Sequence, residues 1–478
     1  MPPALAALDH RFDAAFGAAA NPLKHLGASA FLLMGLLGAT GIVLFAVLDT
    51  SVAGAWQSID ALSAGRFSAG SILRGLHRYA ADALLLVVAL HLLRELLLGR
   101  FANDRALAWS TGVVLLPIAL ACAIGGFWLH WDRLGQFSAM ATAEWLDALP
   151  ILPSPFARNF LVGAVEDRLF TLLVFVHLGL PLLLLFGAWA HVQRLGHPDV
   201  FPSRSLTLGT LATLVVLAVA LPVQGQGPAE LGTLPRELAY DWFLLFVHPL
   251  AAATSNGAAW VWLGAPLAAL LALPLIARRP RAPVARVQPA DCSGCGRCVD
   301  DCPFGAITLV PHPDRRAGSA LARVQASACA GCGICVGACP SSTPFRSAEP
   351  LVSGIEWPPL TTQTLRTQVR EALAGGAHRI VFSCAGAARP AARASDAVVL
   401  LPCAAMLPPA FVEFALREGA RQAVVAACRE GGCAWRLGPQ WTRARLAGQR
   451  EPHLRALPAG SWQAHYADAG EPFGEAAP

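Results

Sequence analysis

Two apolar stretches, "HRYAADALLLVVALH" from His77 to His91 and "HLGLPLLLLFGAWAH" from His177 to His191, carry a histidine at each end. An imidazole in hydrocarbon needs partners for its nitrogens, because an unpaired polar group there costs several kcal/mol. The interval is close to four helical turns, so each pair lies on one helix face, about 21 Å apart at 1.5 Å per residue. That separation suits two metals stacked across a membrane. Hydrogen bonding to a neighbouring helix would account for one such histidine but not for two pairs at one spacing.

The remaining composition fits a membrane protein with soluble parts. Of 478 residues, 55% are hydrophobic and 14% charged, and the mean hydropathy is +0.51. Apolar runs of spanning length occur near Gly27–Leu48, Tyr79–Leu98, Thr111–His130, Leu169–Ala190, Leu206–Pro222 and Ala258–Ile276, and they stop after Arg278. Six spans put both chain ends on one side. Arg11, Lys24, Arg100, Arg105, Arg194, Arg204 and the run "ARRPRAPVAR" share that side, whereas Asp49, Asp60, Asp132, Glu144, Asp147 and Glu166 fall opposite. The positive-inside rule makes the basic side cytoplasmic and places the chain in the cytoplasmic (inner) membrane. These arginines account for the net charge of +5 without a nucleic-acid partner. The opening "MPPALAALDHRFDAAF" lacks a signal peptide's basic region and cleavage site, and reads as a short amphipathic helix on the interface.

Twelve of the thirteen cysteines follow residue 290, on the side expected to be reducing, where clustered thiols bind metal more often than they form disulfides. Cys122, inside an apolar span, reads as a small core hydrophobe. Cys292, Cys295, Cys298 and Cys302 fit C-x2-C-x2-C-x3-C-P, and Cys329, Cys332, Cys335 and Cys339 fit it again. In the bacterial two-cluster ferredoxin pattern the fourth cysteine of each run ligates the other run's cluster. One 4Fe–4S cluster is therefore expected at Cys292, Cys295, Cys298 and Cys339, the other at Cys329, Cys332, Cys335 and Cys302. Zinc would use four cysteines at such spacing, but not two runs that each end in Cys-Pro. Cys384, Cys403, Cys428 and Cys433 remain. Three of them end the strand-like runs "RIVFSC", "AVVLLPC" and "RQAVVAAC", which a small α/β sheet would gather at one edge. Structural cysteines without metal are the other reading of these four.

Gly27 and Gly41 in the first span, and Gly112 and Gly126 in the third, repeat the histidine interval. A residue without a side chain lets a flat ring approach the backbone. With these glycines and both histidine pairs, the first 280 residues resemble the cytochrome b family of the cytochrome bc and b6f complexes. The resemblance implies two haem b groups, held by His77 with His177 near the outer face and by His91 with His191 near the cytoplasmic face. It also implies haem-propionate contacts from Arg74 and Arg94, and a homodimer. Pro181 stands four residues after His177 as it does there, and "LHWDRLGQFSAMATAEWLDALP" is similar to the family's short helical stretch between the third and fourth spans. The family's outer quinone motif Pro-Glu-Trp-Tyr is represented by "YDWF", Tyr240–Phe243, where Asp241 would stand in for the glutamate as proton acceptor. The same stretch also reads as an interfacial segment with aromatic anchors. His197, six residues after His191, is either a cytoplasmic-side quinone residue or a solvated loop histidine. The segment "LLPCAAMLPPAFVEFALREGARQAVVAACREGGCAW" resembles the delta subunit of methyl-viologen-reducing hydrogenases. That resemblance implies a 2Fe–2S cluster at the last four cysteines and a flavoprotein of the heterodisulfide-reductase type as partner.

The expected architecture is multi-domain. An α-helical transmembrane bundle of about six spans, cytochrome b-like, occupies 1–278, an α+β ferredoxin-like domain 279–350, a small α/β iron–sulfur domain 361–450 and a loosely held tail 451–478. The expected function is a membrane-bound quinone/quinol oxidoreductase passing electrons through the haems and clusters to or from a cytoplasmic flavoprotein, hydrogenase or heterodisulfide-reductase-like subunit. The alternative is a passive electron-transfer anchor with no quinone chemistry. Membrane lipid and quinone are the small-molecule partners.

Overall fold

The computed structural model describes residues 3–102, 105–149, 167–193, 195–230, 237–277, 282–314, 319–388, 395–430 and 433–469. The chain packs as two units, Met1–Val192 with Asp199–Arg278, and Gln193–Pro198 with Arg279–Pro478. Glu166, Arg194, Arg278 and the start of the "ARRPRAPVAR" run lie outside the described residues.

The first unit is helical. Its elements include α1 (Pro3–Phe16), α2 (Leu26–Val47), α3 (Ala55–Leu62), α4 (Ala69–Leu97), α5 (Ala106–His130), α6 (Arg133–Asp147), α7 (Asp167–Val192), α8 (Arg204–Ala220), α9 (Val247–Ala253) and α10 (Asn256–Ile276). Several begin where the sequence supplies a cap. Side chains of Ser68, Asp132, Ser203 and Ser255 accept from backbone N–H groups in the first turns of α4, α6, α8 and α10. α2 packs on α4, α5 on α7, and α4 on α8.

Among the described residues four helices are long and apolar enough to cross a membrane: α2, α5, Phe170–Val192 within α7, and α10. The expectation was six. α4 has the length, 29 residues, but it carries Arg74, Arg78, Asp82, Arg94 and Glu95. α8 is apolar but has 17 residues, about 26 Å at 1.5 Å per residue against a hydrocarbon core of about 30 Å. The N-terminal amphipathic segment does form a helix, and polar contacts hold it. Asn21 Nδ2 donates to the Asp9 carbonyl at 3.1 Å and Lys24 pairs with Asp13 at 2.6 Å.

The second unit begins its sheet structure with two antiparallel pairs. Strand β1 (Arg286–Val287) pairs with β4 (Ile355–Glu356), and β2 (Ile307–Pro311) with β3 (Ala320–Val324). Short helices α11 (Arg297–Asp300) and α12 (Ile334–Ala338) follow the two cysteine loops. A four-stranded, wholly parallel sheet comes next, in the order β6 (Asp396–Leu401), β5 (Arg379–Cys384), β7 (Gln422–Ala427), β8 (Trp462–Tyr466). Its central strands are continuous apolar runs, the pattern of strands covered on both faces.

Two expectations are corrected. The Pro-rich stretch between the cysteine repeats and the sheet, part of which falls between the expected domains 279–350 and 361–450, belongs to the fold. Leu351, Ser353 and Ile355 are at most 1% exposed, and β4 lies within it. Cys332, Cys335, Phe382, Met406 and Phe411 accordingly share one hydrophobic core. The tail, expected to be loose, supplies strand β8, which registers Ala423 to Trp462 through Ala427 to Tyr466.

Candidate metal centres

Each of the four histidines lies against the glycine expected at its depth. A Cβ built on Gly41 would be 3.2 Å from His77 Cε1, on Gly27 3.6 Å from His91 Cε1, on Gly126 3.2 Å from His177 Cε1, and on Gly112 3.0 Å from His191 Cε1. The ring that needs the missing side chain is thus the imidazole itself. His77 and His177 lie within electrostatic reach of each other, and so do His91 and His191.

The hydrogen bonds fix the tautomer. Thr40 Oγ1 is 2.8 Å from the Leu36 carbonyl and 2.9 Å from His77 Nδ1. A hydroxyl has one proton to give, and the carbonyl can only accept, so Nδ1–H donates to Thr40 Oγ1. Thr111 repeats the arrangement, 2.9 Å from the Leu107 carbonyl and 3.0 Å from His191 Nδ1. His177 Nδ1 donates to the Cys122 carbonyl at 3.0 Å. In all three rings Nε2 keeps the lone pair that a metal takes, which is how ligating histidines are commonly held. The residues present fit haem iron. Cys122, read from sequence as core filling, orients His177 through its backbone.

The residues expected around the haems are placed less uniformly. Arg74 donates to Ser63 Oγ at 3.0 Å and lies 3.1 Å from His130 Nδ1. Arg94 is turned to α1, where both terminal nitrogens donate to Asp9 at 2.8 Å. Asp241 Oδ1 accepts from the Phe243 and Leu244 amides at 3.1 and 2.7 Å, while Oδ2 pairs with Arg78. His197 belongs to the second unit, where Nε2 donates to the Asp300 carbonyl at 2.7 Å.

Sequence reasoning passed over His130 and His248. His130 faces Arg74 and lies 3.2 Å from Asp132 Oδ2. His248 Nε2 lies 3.1 Å from Ser138 Oγ. Both histidines stand singly, so no spacing could have flagged them.

In the second unit the cysteines ring two recesses. One is lined by Cys292, Cys295, Cys298 and Cys339 together with Gly294 and Gly354. The other is lined by Cys302, Cys329, Cys332 and Cys335. The structure therefore brings each run's fourth cysteine to the other run's first three. The repeat is also a backbone repeat. Gly294 and Gly296 have φ of 71° and 80°, and Gly331 and Gly333 both have 72°, left-handed values that favour glycine. Among the described residues no three His, Cys, Asp or Glu side chains are placed to hold a single metal ion.

Burial, then the neighbouring Cys339, Cys295 and Cys292, push the Cys298 thiol up to about 12. Burial likewise pushes Cys335 well above the ordinary thiol range, with Cys332, Cys329 and Cys302 adding to the effect. Crowded, desolvated thiolates need a cation to share their charge, which is the chemistry iron supplies.

The last four cysteines meet at the carboxyl ends of the parallel strands. Cys384 ends β5, Cys403 lies two residues beyond β6 and Cys428 directly follows β7. The sheet reverses direction at β5, with β6 on one side and β7 on the other, and open α/β sheets bind ligands at such a switch point. Cys384 Sγ and Cys428 Sγ are 3.2 Å apart. Gly386 and Gly438 make room: a Cβ on Gly386 would be 3.1 Å from Cys428 Sγ, and one on Gly438 would meet the sulfurs of Cys403 and Cys433.

Residues 16–197 match the family described as cytochrome b/b6/petB, 291–343 the 4Fe-4S dicluster domain, and 379–454 the methyl-viologen-reducing hydrogenase, delta subunit. A cytochrome b6 from Prochlorothrix hollandica is 32% identical over 114 residues, 24% of this chain and 51% of that protein. The chain thus spans about half the length of the curated relative it matches. A solved chain titled "Hyperthermophilic respiratory Complex III" is similar at 22% identity and a TM-score of 0.44, over 53% of this chain and 75% of that one.

Proposed function

Because the chain joins a cytochrome b/b6 segment to a 4Fe–4S dicluster segment and a hydrogenase delta-subunit segment, we propose that it is the quinone-reactive membrane subunit of an oxidoreductase complex. It exchanges electrons between the quinone pool and a soluble redox partner, a flavoprotein, hydrogenase or heterodisulfide-reductase-like subunit. Two haem b groups, two 4Fe–4S clusters and one 2Fe–2S cluster, when bound, supply one-electron carriers. In this reading the iron–sulfur half lies on the cytoplasmic side of the membrane bundle.

The observation that carries this reading is the tautomer set by Thr40, Thr111 and the Cys122 carbonyl, which leaves Nε2 of His77, His191 and His177 to a metal. Arg74 stands ready for a propionate beside the outer pair. Asp241 is the carboxylate offered for a quinol proton at the outer face. Arg78 holds it in place, and the Phe243 and Leu244 amides steady one oxygen.

That engagement also favours a second reading, the passive anchor, since a carboxylate already held by Arg78 and two backbone amides has to give up a partner before it can face a quinol. A soluble quinol analogue added anaerobically to the purified protein separates the two. The first reading expects haem reduction by quinol, slowed at least tenfold in Asp241→Asn with both haem spectra intact. Haems that quinol leaves oxidised would support the anchor.

A further inference from the structure

In the second unit, the segment that carries Cys403 packs directly on the ferredoxin-type recess of Cys302, Cys329, Cys332 and Cys335. Cys403 opens a 3-10 turn, Ala404–Met406, and its carbonyl accepts from the Met406 amide at 3.0 Å. Met406 lies on Gly333, the residue after Cys332: a Cβ there would be 2.6 Å from Met406 Sδ and 2.8 Å from its Cγ. One turn later a Cβ on Gly337 would be 2.7 Å from an Arg445 terminal nitrogen. Arg445, 1% exposed, donates to the Ala405 carbonyl at 2.7 Å and pairs with Asp301, the neighbour of Cys302. Trp441 Nε1 also donates to the Asp301 carbonyl, at 3.2 Å. The Cys302, Cys329, Cys332, Cys335 recess is therefore held on one side by the segment carrying Cys403 and on the other by the helix of Trp441 and Arg445, which is itself bonded to that segment at Ala405.

The other recess is different. Its ligand set, Cys292, Cys295, Cys298 and Cys339, includes Cys295, which is exposed, whereas Cys302, Cys332 and Cys335 are buried. By contrast Cys384, Cys403, Cys428 and Cys433 are 1 to 5% exposed. A soluble partner exchanging electrons directly at these four cysteines would therefore meet residues nearly closed to solvent.

We infer that the Met406–Gly333 contact joins the last four-cysteine site to the Cys302, Cys329, Cys332, Cys335 group, which makes that group the middle of the series. The Cys292, Cys295, Cys298, Cys339 group is its exposed terminal. Electron tunnelling falls off steeply with distance through protein, so direct contact between ligand shells sets the order. One electron moves at a time, and a soluble one-electron carrier or reduced flavin exchanges it at Cys295. The inference rests on the proposed iron–sulfur occupancy.

Spin coupling tests it in the full-length protein. Each reduced group carries an unpaired spin, whereas fully reduced bis-histidine haem does not interfere. Ser341 Oγ lies 3.0 Å from Cys339 Sγ, so Ser341→Ala removes a hydrogen bond from the terminal group alone and lowers its potential, marking its signal. In a potentiometric titration followed by EPR, splitting of the last site's signal is expected to appear with the unmarked ferredoxin-type signal. It should also survive Cys292→Ser. A dissolved paramagnetic chelate should relax the marked signal most. Splitting that follows the marked signal, or that vanishes in Cys292→Ser, overturns the order. Strongest chelate relaxation at the last site overturns the exposed terminal. A last site with no signal, in protein holding about eight non-haem irons, defeats the proposed occupancy instead.

Discussion

Every histidine of the two pairs sits against a glycine, and this gives a residue-scale test with its own control. Gly112→Val puts side-chain carbon where a Cβ alone would be 3.0 Å from the His191 ring, so the haem of His91 and His191 should be lost or loosely held. Gly38→Ala adds a methyl where nothing lies within 4 Å, and haem content should stay unchanged. Pyridine haemochrome assay of both proteins decides it. His91→Ala should likewise reduce haem from two per chain to one, because each pair serves its own metal, and two haems retained would sink the pairing. Thr111→Val removes the acceptor for His191 Nδ1–H, making the ligand less basic. The potential of that haem should rise while its occupancy holds, as read by spectroelectrochemistry. These positions were legible in the sequence because ligands and glycines share one interval. Their supports were not: Thr40, Thr111 and the Cys122 carbonyl act through contacts between helices that no spacing within one helix records.

Among the elements, α1 yields a test that separates the structure from the family resemblance. Asp9 and Arg94 are 4% and 8% exposed and make two parallel hydrogen bonds. Removing one member of such a buried pair leaves an uncompensated charge, at about 3–5 kcal/mol. Asp9→Ala should lower the thermal midpoint strongly and leave both haems bound. Loss of the inner haem without loss of stability would instead put Arg94 on a propionate. Apolar length marked α2, α5, α7 and α10 plainly in the sequence. The apolar run Tyr79–Leu98 marked the later part of α4, but the helix starts at Ala69 and its five charges dilute its hydropathy. The parallel strands were readable because both faces are covered and their runs are continuous. β8, "WQAHY", was missed for the opposite reason: an edge strand with polar residues among its aromatics shows no run to detect.

At the scale of the molecule, the cysteine repeat foretold which sulfurs would meet, and the two recesses gather Cys339 and Cys302 as the pattern requires. The shared core of the cysteine loops and the parallel sheet was not legible. Proline-rich sequence reads as a tether, yet Leu351 and Ile355 are buried and β4 pairs with β1. A shared core implies that the two halves unfold together, so chemical denaturation followed by iron–sulfur absorbance and by far-UV circular dichroism should give one coincident transition for the excised second unit. Two separated transitions would mean that the halves are independent. If one chain carries both haem and iron–sulfur carriers, cofactor stoichiometry of the full-length protein purified without oxygen shows it, by haemochrome, iron, acid-labile sulfide and zinc analysis together. About two haems, about ten non-haem irons, about as many sulfides and no zinc are expected per chain. Zinc at the cysteines, or protein that folds and stays haem-free, would contradict it.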